Sequence, residues 1–119
     1  MNYIDAINLM EDMRAKNKSR FIICLTETDD NLVREELANR GYRWISGANL
    51  RTKTYFDKYG ITSYGIINSS DKCICREEEK YFVEPYKANP NYFEEKAEYI
   101  VVGNRIVLHD EDAFLKLLE

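Results

Sequence analysis

Residues 21–46 spell strand, helix and strand in immediate succession, and connections so short fit an α/β or α+β layer packing. Phe21, Ile22, Ile23, Cys24, Leu25 and Thr26 form an apolar run rich in β-branched and aromatic types, the mark of a buried strand. Thr26, Thr28, Asp29 and Asp30 each offer a side-chain oxygen to cap a helix over residues 31–40. Leu32, Val33, Leu37 and Ala38 make that helix's apolar side. Gly41 suits the left-handed residue just past a helix end, where a Cβ is penalised. Tyr42, Trp44 and Ser46 then alternate with Arg43 and Ile45, as a strand requires.

The flanking chain reads around that unit. Tyr3, Ile7 and Met10, with Ala6 and Met13, recur at helical spacing and predict a helix over residues 3–16. Residues 47–60 follow neither period. Residues 61–68 and 72–76, separated by Ser69-Ser70-Asp71, predict a hairpin with Cys73 and Cys75 on one face of its second strand. After the charged break 77–80, residues 81–83 read as a short strand ended by Glu84-Pro85. Residues 86–97 read as a loop with one helical turn near 92–96. Gly103-Asn104 between residues 99–102 and 105–108 predicts a second hairpin, and Asp110 a last helix burying Ala113, Phe114, Leu117 and Leu118. The sum is one α+β domain over residues 1–119. Its expected sheet is mostly antiparallel, of about five to six strands, with about two to three packed helices.

Charge narrows the classes of function. The net charge is −4 over 119 residues, and the isoelectric point is about 5.1. Broad, sequence-independent nucleic-acid binding rests on many phosphate contacts, which such a chain is poorly equipped to make. Nucleic acid is therefore admitted as a partner but not favoured. Three cysteines are too few and too odd for a disulfide framework, so reduced thiols are expected. Asp5, Asn8 and Glu11 interrupt the N-terminal apolar residues, so no signal peptide is read there. No apolar run has the length to span a bilayer. The expectation is a cytoplasmic protein without a membrane partner.

One segment departs from the acidic average. Between residues 40 and 59 lie Arg40, Arg43, Arg51, Lys53 and Lys58 against Asp57 alone, a net +4 that leaves −8 for the rest. Tyr42, Trp44, Tyr55, Phe56 and Tyr59 are interleaved. Guanidinium and ammonium groups beside aromatic faces can hold an anion, a nucleotide or an acidic protein surface. Arg43, Arg51, Lys53, Tyr55, Lys58 and Tyr59 are the expected binding residues, with Trp44 orienting the strand. The plainer reading is also open: a core tryptophan ringed by solvated charges.

The remaining chemistry is sparse. Cys73, Cys75, Cys24 and His109 lack the number and spacing of a structural zinc site. The runs 77–79 and 110–112 lack the spacing of a calcium loop. His109, beside Asp110, Glu111 and Asp112, has the neighbours of a general base but no nucleophile motif. No glycine-rich phosphate loop occurs. No catalytic residue, metal or cofactor is expected, and an enzyme centred on His109 is a third reading. Exposed strand edges leave homo-oligomerisation open.

The run Gly41-Tyr42-Arg43-Trp44-Ile45-Ser46-Gly47, following a strand and a helix, resembles a pattern in small proteins of bacteriophages and prophages. The likeness covers roughly residues 20–76 and carries no catalytic residues. It implies an accessory protein of the host cytoplasm that binds and blocks a host component, such as an immune effector or its nucleotide signal. The function expected is non-enzymatic inhibition of a bacterial defence component, by stoichiometric binding or sequestration through the basic–aromatic surface. The alternative is a nucleotide- or nucleic-acid-binding accessory protein using the same surface.

Overall fold

Two polar side chains start the first two helices. Asn2 accepts a hydrogen bond from the Asp5 N–H at 2.9 Å and opens α1, Tyr3–Ala15. Thr26 accepts from the Asp29 N–H at 3.2 Å and opens α2, Glu27–Asn39. Its hydroxyl also donates to the Asp29 carboxylate at 2.8 Å, so cap and first turn hold each other. Of the four candidate caps Thr26 is the one used, and α2 begins four residues before the periodicity of its apolar side. Its first turn carries Glu27, Asp29 and Asp30, which the helix dipole favours. At the other end, Gly41 adopts φ +91°. The Tyr42 N–H reaches the Leu37 carbonyl and the Gly41 N–H the Ala38 carbonyl, both at 3.0 Å. This paired closure satisfies the last carbonyls and turns the chain into the sheet.

The computed structural model describes residues 2–68, 70–95 and 99–103. Its strands are β1 (Phe21–Cys24), β2 (Arg43–Trp44), β3 (Thr62–Asn68), β4 (Cys73–Cys75) and β5 (Tyr99–Val101). They form one sheet in the order β2-β4-β3-β1-β5. A short helix α3 (Phe56–Tyr59), a helix α4 (Glu79–Ala88) and a 3₁₀ turn (Tyr92–Glu95) complete the described chain. The second hairpin strand, the last helix and His109 expected beyond residue 103 lie outside the described residues.

The α+β class and the strand number stand, but the sheet is mixed rather than mostly antiparallel. β1 pairs antiparallel with β3 and β3 with β4, while β1–β5 and β2–β4 are parallel. The reason is the crossovers. A helix between two strands returns the chain to its starting end, so the strands it joins point the same way. α2 joins β1 to β2 in this manner, and α4 joins β4 to β5. The hairpin β3–β4 is inserted between β1 and β2. Only β3 runs against the other strands.

Four α-helices are present among the described residues, more than expected, because residues 56–59 form the short α3 and residues 81–83 are not a strand. They lie inside α4, and Phe82 and Val83 face the core. Tyr-Phe-Val suits either conformation, and three residues are too few to show a period. Pro85 lies inside this helix without ending it. Proline removes the N–H that would bond the carbonyl four residues earlier, that of Tyr81. The Tyr99 hydroxyl comes within 3.3 Å of that carbonyl while bonding Glu77 at 2.6 Å, so the freed oxygen is not left bare.

The two sheet faces are covered unequally. On one, Tyr42, Trp44, Tyr64, Ile74 and Ile100 pack with α1 and α2. On the other, Ile23, Tyr99 and Val101 pack with Phe82 and Val83 of α4 and with Phe93. Cover on this second face thins towards β4 and β2: Cys73 and Cys75 are half-buried and Ile45 is 64% exposed. Gly65 of β3 lies under the Phe21 ring, 2.5 Å from where a Cβ would sit, so any side chain there would displace the ring.

β2 is an edge strand, and its own continuation closes it. The N–H groups of Arg43 and Ile45 bond Lys72 and Ile74 on the β4 side, at 3.1 and 2.9 Å. The Trp44 N–H points the other way and bonds the Ala48 carbonyl at 3.1 Å, while the Gly47 N–H bonds the Trp44 carbonyl at 2.8 Å. Gly47, at φ +88°, makes that turn.

Candidate binding surface

The segment after this turn is fixed from beneath before it presents anything to solvent. Trp44 is 4% exposed, lies against Tyr64 with ring centroids 5.5 Å apart, and meets Tyr55 edge-on at 5.3 Å. Its Nε1–H donates to the Lys53 carbonyl at 2.9 Å. A second anchor is wholly buried. Asp30 Oδ1 accepts from the hydroxyls of Thr62, at 2.7 Å, and Tyr64; its Oδ2 accepts from Arg34 Nε at 2.9 Å and Thr54 Oγ1 at 3.0 Å. A carboxylate offers about four acceptor positions, and all are used. Arg34 passes the link outward, donating to the carbonyls of Leu50 at 2.9 Å and Arg51 at 3.1 Å. A loop without secondary structure of its own is thus bonded to α2 through side chains.

What it presents is an alternating stack of cations and rings. Lys53 Nζ lies over the Tyr55 ring at 5.7 Å. The Arg76 guanidinium lies 4.3 Å from the Tyr55 centroid and 4.9 Å from that of Tyr59. Lys58 Nζ lies over Tyr59 at 5.1 Å. Lys53, Tyr55, Arg76, Tyr59 and Lys58 therefore follow one another as a ladder, each contact within the range where a ring's negative face attracts a cation. Phe82 supports it from the core, 5.6 Å from the Arg76 guanidinium and in edge contact with Tyr59. The two lysines at its ends are exposed and Tyr55 and Tyr59 half-buried.

One carboxylate holds the middle rung. Glu79, in the first turn of α4, accepts from the Tyr59 hydroxyl and pairs with Arg76. The Tyr59 bond foremost, then a backbone N–H, with Arg76 adding, hold its carboxyl down to about 2. Glu79 neutralises Arg76, so the free positive charge of the ladder sits at its two ends.

The six expected residues divide. Lys53, Tyr55, Lys58 and Tyr59 are brought together. Arg51 is turned away: its guanidinium bonds Glu35 at 3.3 Å and Asn39, both on α2. Arg43 stands exposed on β2, in register with Cys73, and its side chain makes no hydrogen bond or ion pair among the described residues. Arg76 and Glu79 were missed. Arg76 was read as one more residue of the hairpin strand and Glu79 as part of a charged break; neither spacing nor composition marks them. Asp30 and Arg34 had a signal, opposite charges four residues apart on a helix.

Other ionisable groups are tuned by burial. It pushes the Cys24 thiol well above its ordinary value, with the Asp30 charge adding, and raises Cys75 as well. Burial and the hydrogen bond to Glu11 likewise raise the Tyr42 hydroxyl. Among the described residues no three His, Cys, Asp or Glu side chains gather as a metal cluster. No helix of the described chain is long and apolar enough to cross a membrane. Comparison with known proteins found no match: no family model, no curated protein and no solved structure.

Proposed function

We propose that the chain is a non-enzymatic binding protein, phage-derived and acting in the host cytoplasm, that inhibits a bacterial defence component by stoichiometric binding or sequestration. The observation that carries this reading is the ladder Lys53–Tyr55–Arg76–Tyr59–Lys58. Its rings are held by Trp44 and Phe82 and its central cation by Glu79, so little conformational freedom is lost when a partner docks. Its free charges are two lysine ammoniums at the ends, suited to carboxylates or phosphates. The likeness of residues 41–47 to phage proteins supports the source.

The test is capture from a bacterial lysate with the wild-type chain and with Lys53→Glu/Lys58→Glu. Both lysines are exposed, so stability should change by no more than about 0.5 kcal/mol. Retention of the captured partner should fall at least about tenfold. Equal capture by both proteins sinks the ladder as the binding surface. The ring faces beneath the lysines favour one second reading, a nucleotide ligand with its base on a tyrosine and its phosphates on the ammoniums. A melting-temperature screen with mono-, di- and cyclic nucleotides separates the two, since a ligand of the native state raises the midpoint.

A further inference from the structure

Cys73 and Cys75 flank Ile74, which is buried on the α1–α2 face, so both thiols lie on the opposite face of β4, half-buried and reduced. Strand geometry sets their spacing: two residues of rise separate the Cα atoms by about 6.6 Å, with the Cβ atoms side by side at a similar distance. A disulfide needs Cβ atoms about 3.5–4.5 Å apart, so the two cannot join each other without breaking the strand. A bridging cation has the reach they lack. Metal–thiolate bonds of about 2.3 Å hold two sulfurs up to about 4.6 Å apart, a span the side chains reach by leaning together.

The neighbours select the cation. Zinc asks for about four ligands, and no third His, Cys, Asp or Glu joins the pair among the described residues. Two sulfurs alone suit a soft monovalent ion content with linear coordination. On the β3 side Gly65 faces Cys75 with no side chain, and the Phe21 ring lies over it, giving an apolar wall. On the β2 side Arg43 stands in register with Cys73. Two thiols that each release a proton to water and share one singly charged cation form a complex of net charge −1. Arg43, in register with Cys73 on a strand whose backbone runs about 4.8 Å away, supplies the counter-charge.

We propose that Cys73 and Cys75 form a two-coordinate site for a soft monovalent metal cation, copper(I) being the physiological example. This site lies outside the ladder and does not depend on the binding reading above. The experiment is an anaerobic titration of the reduced full chain with copper(I) against bicinchoninate as competing chelator. The chain should withdraw one equivalent, and X-ray absorption should show two sulfur neighbours. Thiol counting with a disulfide reagent should find two reactive thiols in the native apo protein, since Cys24 is buried, and none once the metal is bound. Cys73→Ser and Cys75→Ser, each checked for an unchanged circular dichroism spectrum, should weaken uptake at least tenfold. No withdrawal from the chelator overturns the site, as does unchanged uptake by either folded variant. Zinc bound as tightly as copper(I) overturns the two-coordinate assignment.

Discussion

Two arginines hold the same loop in opposite ways. Arg34 is buried and spends its donors on Asp30, on Asn31 and on the carbonyls of Leu50 and Arg51. Arg76 is only slightly more exposed than Arg34, and meets its surroundings chiefly through flat faces, between Tyr55 and Tyr59 with Glu79 at its edge. The first arrangement is directional, with an acceptor at every guanidinium nitrogen, so it specifies where the backbone goes. The second is less directional and keeps ring surface near solvent, so it can serve a partner. One loop is thus pinned on its core side by hydrogen bonds and dressed on its outer side by stacking. The neighbours decide which kind of arginine contact does which job: carbonyl and carboxylate oxygens around Arg34, ring faces around Arg76.

The sharpest way to break this comparison is to remove the buried carboxylate. Asp30→Ala leaves Arg34 charged and unpaired in the interior, which typically costs about 3–5 kcal/mol. That is a large part of the about 5–15 kcal/mol that holds a domain together. Denaturant unfolding should show the midpoint drop, and a variant as stable as the parent would remove the Asp30–Arg34 pair as the anchor.

Arg76→Ala should cost less, about 1–2 kcal/mol, since a cation held over rings contributes modestly and Glu79, left behind, is exposed enough to be solvated. Partner capture should nevertheless fall, because Tyr55 and Tyr59 lose the group that spaces them. Arg76→Lys should restore little of that capture, as an ammonium cannot stack as a guanidinium does. If Arg76→Ala proves as destabilising as Asp30→Ala, the two arginines do the same work and the distinction fails.

The smallest expected effect is a dependence on pH. The Glu79 carboxyl is lowered from 4.5 to about 2 in the folded chain, so its contribution is complete above pH 4.5. That contribution is lost as pH falls from there through about 2, where the folded form takes up its proton. Glu79→Gln should therefore flatten stability against pH in the window 4.5 to 2 relative to the parent, with little difference at pH 7 beyond a constant offset. An unchanged slope in the variant would assign the acid sensitivity to other carboxylates.

Much of the fold was legible because its signals are local. Gly41 ends α2 as a glycine at that position should, and the alternation across Tyr42–Ser46 put Trp44 inward. The hairpin of β3 and β4 follows from two apolar runs and a polar turn. What was misread depended on distant partners. The polar first turn of α2 shows no apolar period, and Leu32, taken as inward, is 38% exposed. Strand directions came out wrong because a crossover's destination is a tertiary fact: nothing in residues 21–46 says that two other strands will lie between β1 and β2. Likewise Pro85 signals a stop unless the Tyr99 hydroxyl is known to wait beside the carbonyl it frees. The surface was half visible for the same reason. Lys53, Tyr55, Lys58 and Tyr59 lie within seven residues of one another, whereas Arg76 comes to them from the far end of a hairpin.

The turn at residues 44–48 bears on how molecules of this kind could add to one another. Fibrils and open sheet polymers grow because every unit offers two unpaired borders, one to receive and one to extend. Here the border of β2 is already taken by its own chain through Trp44, Ala48 and Gly47. A unit with at most one receptive border can pair off, and then both partners are spent. The short motif that shapes the loop thus also closes one border of its sheet against a further strand.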